Sequence, residues 1–338
     1  MNKILILNGD DIKKVINLKL AIESDESAYV QKSHGKGKVW PLVFYEYQHN
    51  IFDLDIRSGN LDETGAYGLK LISYNENNKD KGIDKVNATS LVFDSTTGVP
   101  IALLNASPIT SYRTGAAAAV GAKYLARKDS KNLLVIGCGN IAIHSIAATL
   151  LEMNNIEQIN IYNPRASLSI EKLNAIKDQI KAILKSDQSK MVDVSFNIVS
   201  DIENATKNAD IIITATPSEK PIIMKDWIRK GTHLSCMGAC MVGHQEIDEN
   251  IFAIARCFAD DEEQCLKCGE AQTAKKKEII SKFTDEIGNV ISGTSKGRVS
   301  EDDITIFDST GLFLQDLETS MRIIKCTEKD EIGEKLFL

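Results

Sequence analysis

The stretch Val135-Ile136-Gly137-Cys138-Gly139-Asn140-Ile141-Ala142 decides the fold of this chain. An apolar run that begins at Leu133 leads into it and is typical of a buried strand, and an apolar helical pattern follows it to about Met153. The spacing Gly-x-Gly-x-x-Ala is the dinucleotide fingerprint, with alanine in its permitted third place. Gly137 would form the tight turn, Gly139 would let the backbone approach a pyrophosphate, and the helix N-terminus would offer N–H groups to the phosphates. The sequence therefore predicts a strand, turn and helix that bind a dinucleotide; the alternative is a βαβ turn without a ligand.

The residues after the next predicted strand, Gln158 to Tyr162, bear on which nucleotide binds. A carboxylate commonly stands about 20 residues after the glycines and accepts a hydrogen bond from the ribose 2′-hydroxyl of NAD. This chain has Asn163-Pro164-Arg165-Ala166-Ser167 there, without a carboxylate. Arg165 could pair with a 2′-phosphate and Ser167 could hydrogen bond to it, so NADP(H) is favoured over NAD(H). The alternative is that Arg165 is a solvated loop charge.

Composition and length set the class of protein. The chain has 338 residues and a net charge of −7, so no basic face points to nucleic acid. No apolar run has the length of a membrane span, and the N-terminal run is too short for a signal peptide. Seven cysteines at irregular spacing favour free thiols and a reducing compartment, which predicts a cytoplasmic protein.

The pattern of predicted elements divides the chain in two. Strand-like runs dominate the first part, and from Lys131 strands alternate with helices, among them the strands Gln158 to Tyr162 and Val192 to Ile198. We therefore predict an α/β fold, with a Rossmann-type doubly wound parallel sheet over residues 115–311. An α+β domain is predicted over residues 1–114. The last helix, from Leu312 to Cys326, is predicted to return to that domain, which makes it discontinuous (1–114 plus 312–338).

Several stretches together resemble the ornithine cyclodeaminase / mu-crystallin family, in the same order over nearly the whole chain. They are Gly68–Leu71, Ile109–Thr114, the Gly137 turn, Ala209–Ser218, Met237–Ala239, Gln245–Asp248, Asp260–Cys265 and Phe307–Gly311. The family includes cyclodeaminases, alanine dehydrogenases and imine reductases, so the resemblance does not fix the reaction. It implies a homodimer whose first domain binds the substrate and dimerises, while the second delivers the nicotinamide.

The resemblance also assigns roles to individual residues. An amino or imino acid needs a buried cation for its carboxylate, best an arginine fork. Arg113 would grip the carboxylate, and Lys70 would bond it or act as the proton-carrying group; the alternative is that both are surface cations. Cofactor contacts are expected at the glycine turn and at the carboxyl ends of the strands. These residues are Gly137, Gly139, Asn140, Ile141, Asn163, Arg165, Ser167, Thr214, Ala215, Thr216, Met237, Gly238, Ser309 and Gly311.

Three positions depart from the family pattern. Val43 stands where the family usually has an arginine as second carboxylate ligand, although Arg57 or Lys38 could take over that role. Cys240 stands at the place of an aspartate that serves as base in deaminating members, and His244 replaces a common lysine. A thiol is neutral near pH 7 unless its pKa is depressed, so ornithine cyclodeamination is not expected.

The preferred prediction is an NAD(P)H-dependent oxidoreductase that exchanges hydride with the α-carbon of a small imino or amino acid. Arg113, Lys70 and Cys240 are its candidate catalytic residues. The mu-crystallin branch, which reduces cyclic ketimines, also lacks the aspartate. The alternatives are a cyclodeaminase with a rearranged site that uses Cys240 or His244, and a nucleotide-binding homologue without turnover.

The pair Cys265-x-x-Cys268 raises a separate possibility. Structural zinc or a redox pair is chemically feasible there. Free buried thiols are the preferred interpretation, because the upstream cysteine spacings do not form a zinc-knuckle pattern. No metal is therefore predicted.

Overall fold

The computed structural model describes residues 3–49, 51–187 and 194–337. The chain divides into two compact units, one of residues 1–113 with 312–338 and one of residues 114–311. The first boundary falls inside a continuous helix, Ser107–Leu125. None of the helices in the described residues is long and apolar enough to cross a membrane.

The first unit is built on one mainly antiparallel sheet, in the order β18-β1-β7-β6-β5-β4-β2, with β3 also paired to β4. Only the β1–β7 pair in this sheet, as far as the structure describes it, is parallel. The strands are β1 (Lys3–Leu7), β2 (Gly37–Val39), β3 (Val43–Gln48), β4 (Phe52–Leu61), β5 (Ala66–Asn75), β6 (Val86–Asp94), β7 (Pro100–Asn105) and β18 (Glu334–Phe337). The helices are α1 (Gly9–Val15), α2 (Leu18–Ser33), the start of α3 (Ser107–Leu125), α10 (Phe313–Lys329) and a 3-10 turn at Glu76–Lys81.

Helix α10 forms the core of this unit together with α2 and the faces of β4 and β5. Its first half is buried on nearly all sides, not only on the apolar face that its spacing predicts. The side-chain amide of Gln315 fixes the start of the helix, because its Oε1 accepts the Leu312 N–H at 2.8 Å and its Nε2 donates to Asp25 of α2 at 2.9 Å. The start of α10 is therefore held against α2 by polar contacts as well as by apolar packing.

Strand β3 is exposed along its whole length. Val43, Tyr45 and Tyr47 are 54%, 56% and 58% exposed. The ring of Tyr47 stacks on Phe52 with centroids 4.6 Å apart, and the ring of Tyr45 contacts Tyr47 edge-on at 4.7 Å. This edge of the sheet thus carries a row of large, exposed, mostly aromatic side chains.

The second unit contains a parallel sheet of eight strands in the order β10-β9-β8-β11-β13-β17-β15-β16. Its strands are β8 (Asn132–Ile136), β9 (Gln158–Tyr162), β10 (Ser195–Ile198), β11 (Ile211–Thr214), β13 (His233–Cys236), β15 (Ala255–Ala259), β16 (Asp285–Glu286) and β17 (Ile304–Asp308). The short strands β12 (Glu219–Ile223) and β14 (Gln245–Ile247) pair separately. The helices are α4 (Asn140–Glu152), α5 (Ile170–Ser186), α6 (Ile202–Asn208), α7 (Glu262–Cys268), α8 (Gln272–Lys276), α9 (Ile287–Ile291) and the 3-10 turns Lys225–Trp227 and Glu249–Ala253.

The strand order of this sheet reverses at β8, whose neighbours are β9 on one side and β11 on the other. In open parallel sheets a ligand binds outside the carboxyl ends of the strands at such a switch point. The Gly137 turn leaves β8 at that place. The predicted start of the third strand, Val192, lies outside the described residues.

Candidate active site

The turn after β8 has the geometry that its glycines predict. Gly137 has φ +114°, and a Cβ there would come within 2.6 Å of the Ala215 carbonyl oxygen. Its N–H donates to the Tyr162 carbonyl at 2.8 Å, while the Ala215 N–H donates to Ile136 at 2.9 Å. The turn is therefore closed against the ends of both β9 and β11, and any side chain at position 137 would break that arrangement.

The helix that follows the turn begins without a side-chain cap. Gly139 is the N-cap of α4 and makes no side-chain hydrogen bond to the helix, and a Cβ at this position would meet no described atom within 4 Å. The first helical residues, Asn140 and Ile141, thus present N–H groups at an open helix start. Open space, free N–H groups and the positive end of a helix dipole fit a pyrophosphate.

The three residues proposed to read the nucleotide follow β9. Asn163 is half-buried and its Oδ1 accepts the Arg165 N–H at 3.4 Å, while Arg165 and Ser167 are exposed. Helix α5 begins at Ile170 with Ser169 as its cap, so Ser167 belongs to the preceding loop. The Arg165 guanidinium is consequently in a position accessible to a ligand.

Glu246 holds together the loops after β11 and β13. Its Oε1 accepts the backbone N–H of Thr216 at 2.6 Å and the Thr216 hydroxyl at 2.7 Å, and its Oε2 accepts the Gly238 N–H at 3.0 Å. A Cβ at Gly238 would lie 2.3 Å from that same Oε2 and 2.3 Å from the Thr216 carbonyl oxygen. Thr214, Ala215, Thr216, Met237 and Gly238, all predicted to contact cofactor, are thereby brought to one edge of the sheet.

The loop that carries Cys240 and His244 is anchored by Gln272. The side chain of Gln272 accepts the Gly243 N–H at 2.8 Å and donates to the carbonyl oxygens of Met241 at 3.1 Å and His244 at 3.0 Å. Cys240 is a half-buried free thiol. Met241 and Val242 at the loop tip are exposed, so this loop presents apolar side chains beside the thiol.

Behind this edge lies a network of four buried carboxylates, Glu246, Glu270, Asp308 and Asp260. Each accepts backbone N–H groups from a neighbouring loop: Glu270 from residues 246 and 247, and Asp308 from residues 270 and 271. Burial raises the pKa of Glu246 to about 7 and that of Asp308 to about 8. Burial and the charge of Glu246 raise the pKa of Glu270 as well. This acidic network orders the loops through backbone contacts.

Ser309 and Gly311, predicted near the nicotinamide, are bound to Asp260. The Ser309 hydroxyl donates to Asp260 Oδ2 at 3.0 Å, and the Gly311 N–H donates to the same oxygen at 2.8 Å. Asp260 also accepts the Cys265 thiol at 3.3 Å. No group of three or more metal-ligating side chains that could hold an ion is found among the described residues.

In the first unit, Lys70 and Arg113 converge on a carboxylate that sequence analysis does not single out, Asp316. Lys70 Nζ lies 2.7 Å from Asp316 Oδ1, and Arg113 Nε lies 3.4 Å from Asp316 Oδ2. The side chains of Lys70 and Asp316 are fully buried and that of Arg113 is 7% exposed. The alternative that Lys70 and Arg113 are ordinary surface cations is therefore wrong.

Burial lowers the pKa of Lys70 to about 8, against the opposing attraction of Asp316. Burial alone would raise the pKa of Asp316, but the charges of Arg113 and Lys70 bring it below its ordinary value. Arg57 acts in the same direction on both groups. The cluster therefore contains more positive than negative charge when Lys70 is protonated, which suits an anionic ligand.

The register of the sheet decides between the two substitutes for the missing arginine at position 43. Arg57 stands directly opposite Lys70 across β4 and β5, so the two side chains share one face. Val43 stands opposite Ile56, which points to the other face, and Lys38 is exposed opposite Asn60. Arg57 is thus the additional cation on the face of Lys70.

Sequence reasoning overlooked Asp316, Glu270 and the anchoring role of Gln272. Asp316 directly follows Gln315 in a helix whose neighbouring positions are apolar, and a pair of polar residues within such a buried helix is the signal that could have found it. The partners of Glu270 are backbone N–H groups of a distant loop, which no side-chain pattern indicates.

The doubly wound sheet with its open glycine turn is the fold of dinucleotide-binding proteins, and the first unit holds a buried cluster of cations around Asp316. The chain belongs to the ornithine cyclodeaminase/mu-crystallin family, whose model matches residues 2–330. The predicted family and fold class are thereby confirmed.

Three relatives match this chain along nearly its full length. Alanine dehydrogenase of Archaeoglobus fulgidus is 32% identical over 98% of each chain. The structure of Thermococcus litoralis Δ1-pyrroline-2-carboxylate reductase in complex with NADH and L-proline has a TM-score of 0.87, with 29% identity over 98% of this chain and 100% of that one. The iminosuccinate reductase of Paracoccus denitrificans, solved with NAD+, has a TM-score of 0.90, with 26% identity over 100% of both chains.

Proposed function

We propose that the protein reduces a small α-imino acid, preferably a cyclic imine, with a reduced nicotinamide dinucleotide. The chain is an NAD(P)-dependent oxidoreductase of the class that acts on carbon–nitrogen bonds. Its relatives include a pyrroline-2-carboxylate reductase, an iminosuccinate reductase and an alanine dehydrogenase. The observation that carries the substrate class is the buried cluster of Lys70, Arg113 and Asp316, with Arg57 on the same face.

Arg113 and Arg57 would bind the substrate carboxylate. An arginine fork donates two parallel hydrogen bonds to a carboxylate, and such bonds are strong where water is excluded. Arg57 is paired with Asp55 at 3.3 Å, and both side chains are mostly buried. This pairing orients the Arg57 guanidinium. Arg57 would therefore serve as the second ligand of the substrate carboxylate, a role that the family usually gives to an arginine at position 43.

Lys70 would carry the proton. Its ammonium donates to Asp316 and lies 3.4 Å from the Thr110 hydroxyl, which leaves a donor for the substrate. A lysine with its pKa near 8 can give and take a proton close to neutral pH. When bound, the reduced nicotinamide supplies the hydride for the imine carbon. The residues of this chain bind the carboxylate, orient the carbon–nitrogen bond and keep a proton beside the nitrogen.

Cys240 is proposed to shape the pocket rather than to act as the base of a cyclodeaminase. It is a half-buried thiol on the Gln272-anchored loop. Because a cysteine replaces the aspartate base of the deaminating members, this position supports imine reduction more than deamination.

The preference between the two dinucleotides is proposed from the loop after β9. An exposed Arg165 and an exposed Ser167, with no carboxylate among residues 163–167, favour the 2′-phosphate of NADPH. Structures of three relatives were solved with NAD or NADH bound, so binding of NADH is measured beside binding of NADPH.

A homodimer is proposed from the exposed aromatic edge of β3. Exposed edge strands with large apolar side chains are normally covered by another chain. The archaeal alanine dehydrogenase with a TM-score of 0.87 to this chain was solved as a dimer. A cytoplasmic location fits the seven free thiols.

The test is oxidation of NADPH and NADH with a panel of cyclic imines and of keto acids plus ammonia, and the reverse reaction on free amino acids including ornithine and lysine. Turnover of cyclic imines, faster with NADPH, is the expected result. Ammonia release from ornithine would replace this proposal with a cyclodeaminase that has a rearranged site. Tight cofactor binding without turnover of any compound would replace it with a non-catalytic binding role.

A further inference from the structure

The first turn of α10 places a single carboxylate between the two cations of the anion site. Asp316 touches Lys70 with one oxygen at 2.7 Å and approaches Arg113 with the other at 3.4 Å. The Arg113 contact has ion-pair distance but not hydrogen-bond alignment, since neither atom has a hydrogen-bond partner among the described residues. The Nε–H group of Arg113 therefore keeps its hydrogen-bonding capacity for another anion.

Asp316 cannot move freely, because the start of α10 is fixed. The Gln315 side chain caps the helix and is anchored on Asp25. The dipole at a helix N-terminus further stabilises a carboxylate in the first turn. The two cations also come from separate elements, β5 and α3, so a fixed carboxylate between them sets their mutual position.

The charged groups around Lys70 determine how strongly its protonated form depends on Asp316. Arg113 of α3 and Arg57 of β4 disfavour a charged Lys70, as burial does. Asp55 is paired with Arg57. Asp316 is the group whose charge and hydrogen bond favour the ammonium form. Without Asp316, the three cations Lys70, Arg113 and Arg57 would lie close together in a largely buried place without this carboxylate to offset their repulsion.

We propose that Asp316 is a positioning residue that holds Lys70 and Arg113 in place and keeps the Lys70 ammonium charged for its role toward the substrate. This rests on the proposed function in so far as Lys70 serves the imine nitrogen or the carboxylate. The ion-pair arrangement itself belongs to the folded chain and is testable without turnover.

The activity test is the pH profile of kcat/KM for imine reduction in Asp316→Asn. Loss of the carboxylate should move the alkaline limb, where Lys70 loses its proton, at least one pH unit toward acid. Glu318→Gln is the matched control, because Glu318 is a buried carboxylate of the same helix that contacts Thr64 and Arg322 and not Lys70. The alkaline limb of the pH profile in Glu318→Gln should stay at its wild-type pH. An unmoved limb in Asp316→Asn, with only a uniform loss of rate, would overturn the proposal.

The turnover-free test is urea unfolding at pH 6 and pH 9. At pH 6 the variant buries a charged Lys70 without its partner, whereas at pH 9 Lys70 is mostly neutral in both proteins. The gap in unfolding midpoint between wild type and Asp316→Asn should therefore narrow at pH 9, while the gap for Glu318→Gln stays constant. An equal gap at both pH values would refute the charge-keeping role even if no substrate is found.

If Asp316→Asn does not fold, the variant Asp316→Glu tests the positioning role of Asp316 instead. The longer side chain keeps the charge but displaces it by one methylene group. We expect the alkaline limb at its wild-type pH, a fall in kcat of at least tenfold, and an unchanged NADPH dissociation constant. A wild-type kcat in Asp316→Glu would show that the position of this carboxylate does not matter and would overturn the proposal.

Discussion

Buried charge serves two different purposes in the two units of this protein. In the first unit, opposite charges meet side chain to side chain, and Lys70, Arg113 and Arg57 outnumber the central Asp316. In the second unit, four carboxyl groups are buried together and accept hydrogen bonds mostly from backbone N–H groups. The comparison teaches that a buried titratable group alone does not mark a ligand site. The proposed ligand site differs from the acidic network by its surplus of cationic side chains.

The largest expected effect comes from removing a donor of the cation cluster. Arg113→Ala should raise the KM for the imino acid roughly 30- to 4000-fold, because truncating one partner of a buried charge pair costs about 2–5 kcal/mol. NADPH affinity should stay near wild type, as measured by quenching of NADPH fluorescence. Arg322→Ala is the control, since Arg322 pairs with Glu23 and Glu318 instead. An unchanged KM in Arg113→Ala would contradict the proposal that the cation cluster of the first unit binds the substrate carboxylate.

Two glycines sharpen the contrast between structural and ligand-directed positions in the second unit. Gly238→Ala would force a Cβ to 2.3 Å from Glu246 Oε2, so stability should fall by on the order of 3 kcal/mol. Gly139→Ala meets open space, so stability should remain within about 1 kcal/mol while NADPH affinity falls about tenfold. Urea unfolding and fluorescence titration of both variants measure this. An NADPH affinity that stays at the wild-type value in Gly139→Ala would contradict the assignment of Gly139 to the pyrophosphate.

The two clusters should also show opposite dependence of stability on pH. Glu246 has its pKa raised from 4.5 to about 7, so its contribution is full below pH 4.5 and is lost as the pH rises through about 7. Lys70 has its pKa lowered from 10.5 to about 8, so stability gains as the pH rises from about 8 to 10.5.

Glu246→Gln should therefore flatten the fall in unfolding free energy between pH 4.5 and 7, by an amount on the order of 1–3 kcal/mol. Urea unfolding at pH 5 and pH 7 checks it. The exposed Glu203→Gln should leave the slope as in wild type. A slope that persists unchanged in Glu246→Gln would mean that groups other than Glu246 take up the protons, and would contradict the raised pKa of Glu246.

The smallest effect is expected at an exposed cation. Arg165→Ala should lower the NADPH to NADH preference by about three- to tenfold, because an exposed charge pair contributes little. The ratio of the two kcat/KM values measures it, with the exposed Lys172→Ala as control. An unchanged ratio would end the argument for the 2′-phosphate.

The parts of the fold that could be predicted are those with local patterns. The glycine spacing predicts the turn after β8, and the apolar runs predict strands such as β9 to within a residue. The strand-like run from Lys38 to Tyr47 predicts one strand, whereas the structure has two, β2 and β3. Pro41 lies between them and has no backbone N–H for the ladder. Short pieces such as β12 and β14 have too few residues for a period to show.

The candidate site could be predicted only where one residue type implies its chemistry. Arg113 and Lys70 follow from the family resemblance together with what a carboxylate substrate needs, and their roles stay predictions. Asp316 lies 246 residues from Lys70 in the chain, and Glu246 binds the Thr216 backbone through a loop contact. Register also mattered, since only the pairing of β4 with β5 distinguishes Arg57 from Lys38. Such long-range pairings are set by tertiary structure and leave no local signal.

The position of the unit boundary inside α3 has an evolutionary consequence. Arg113 ends one unit and Thr114 begins the other within the continuous helix α3. A recombination event that exchanged one unit for a foreign domain would have to join two helices in register, one residue from the proposed carboxylate anchor. The two units are therefore expected to be inherited together, and new substrates to arise by point substitution around Arg113 rather than by exchange of domains.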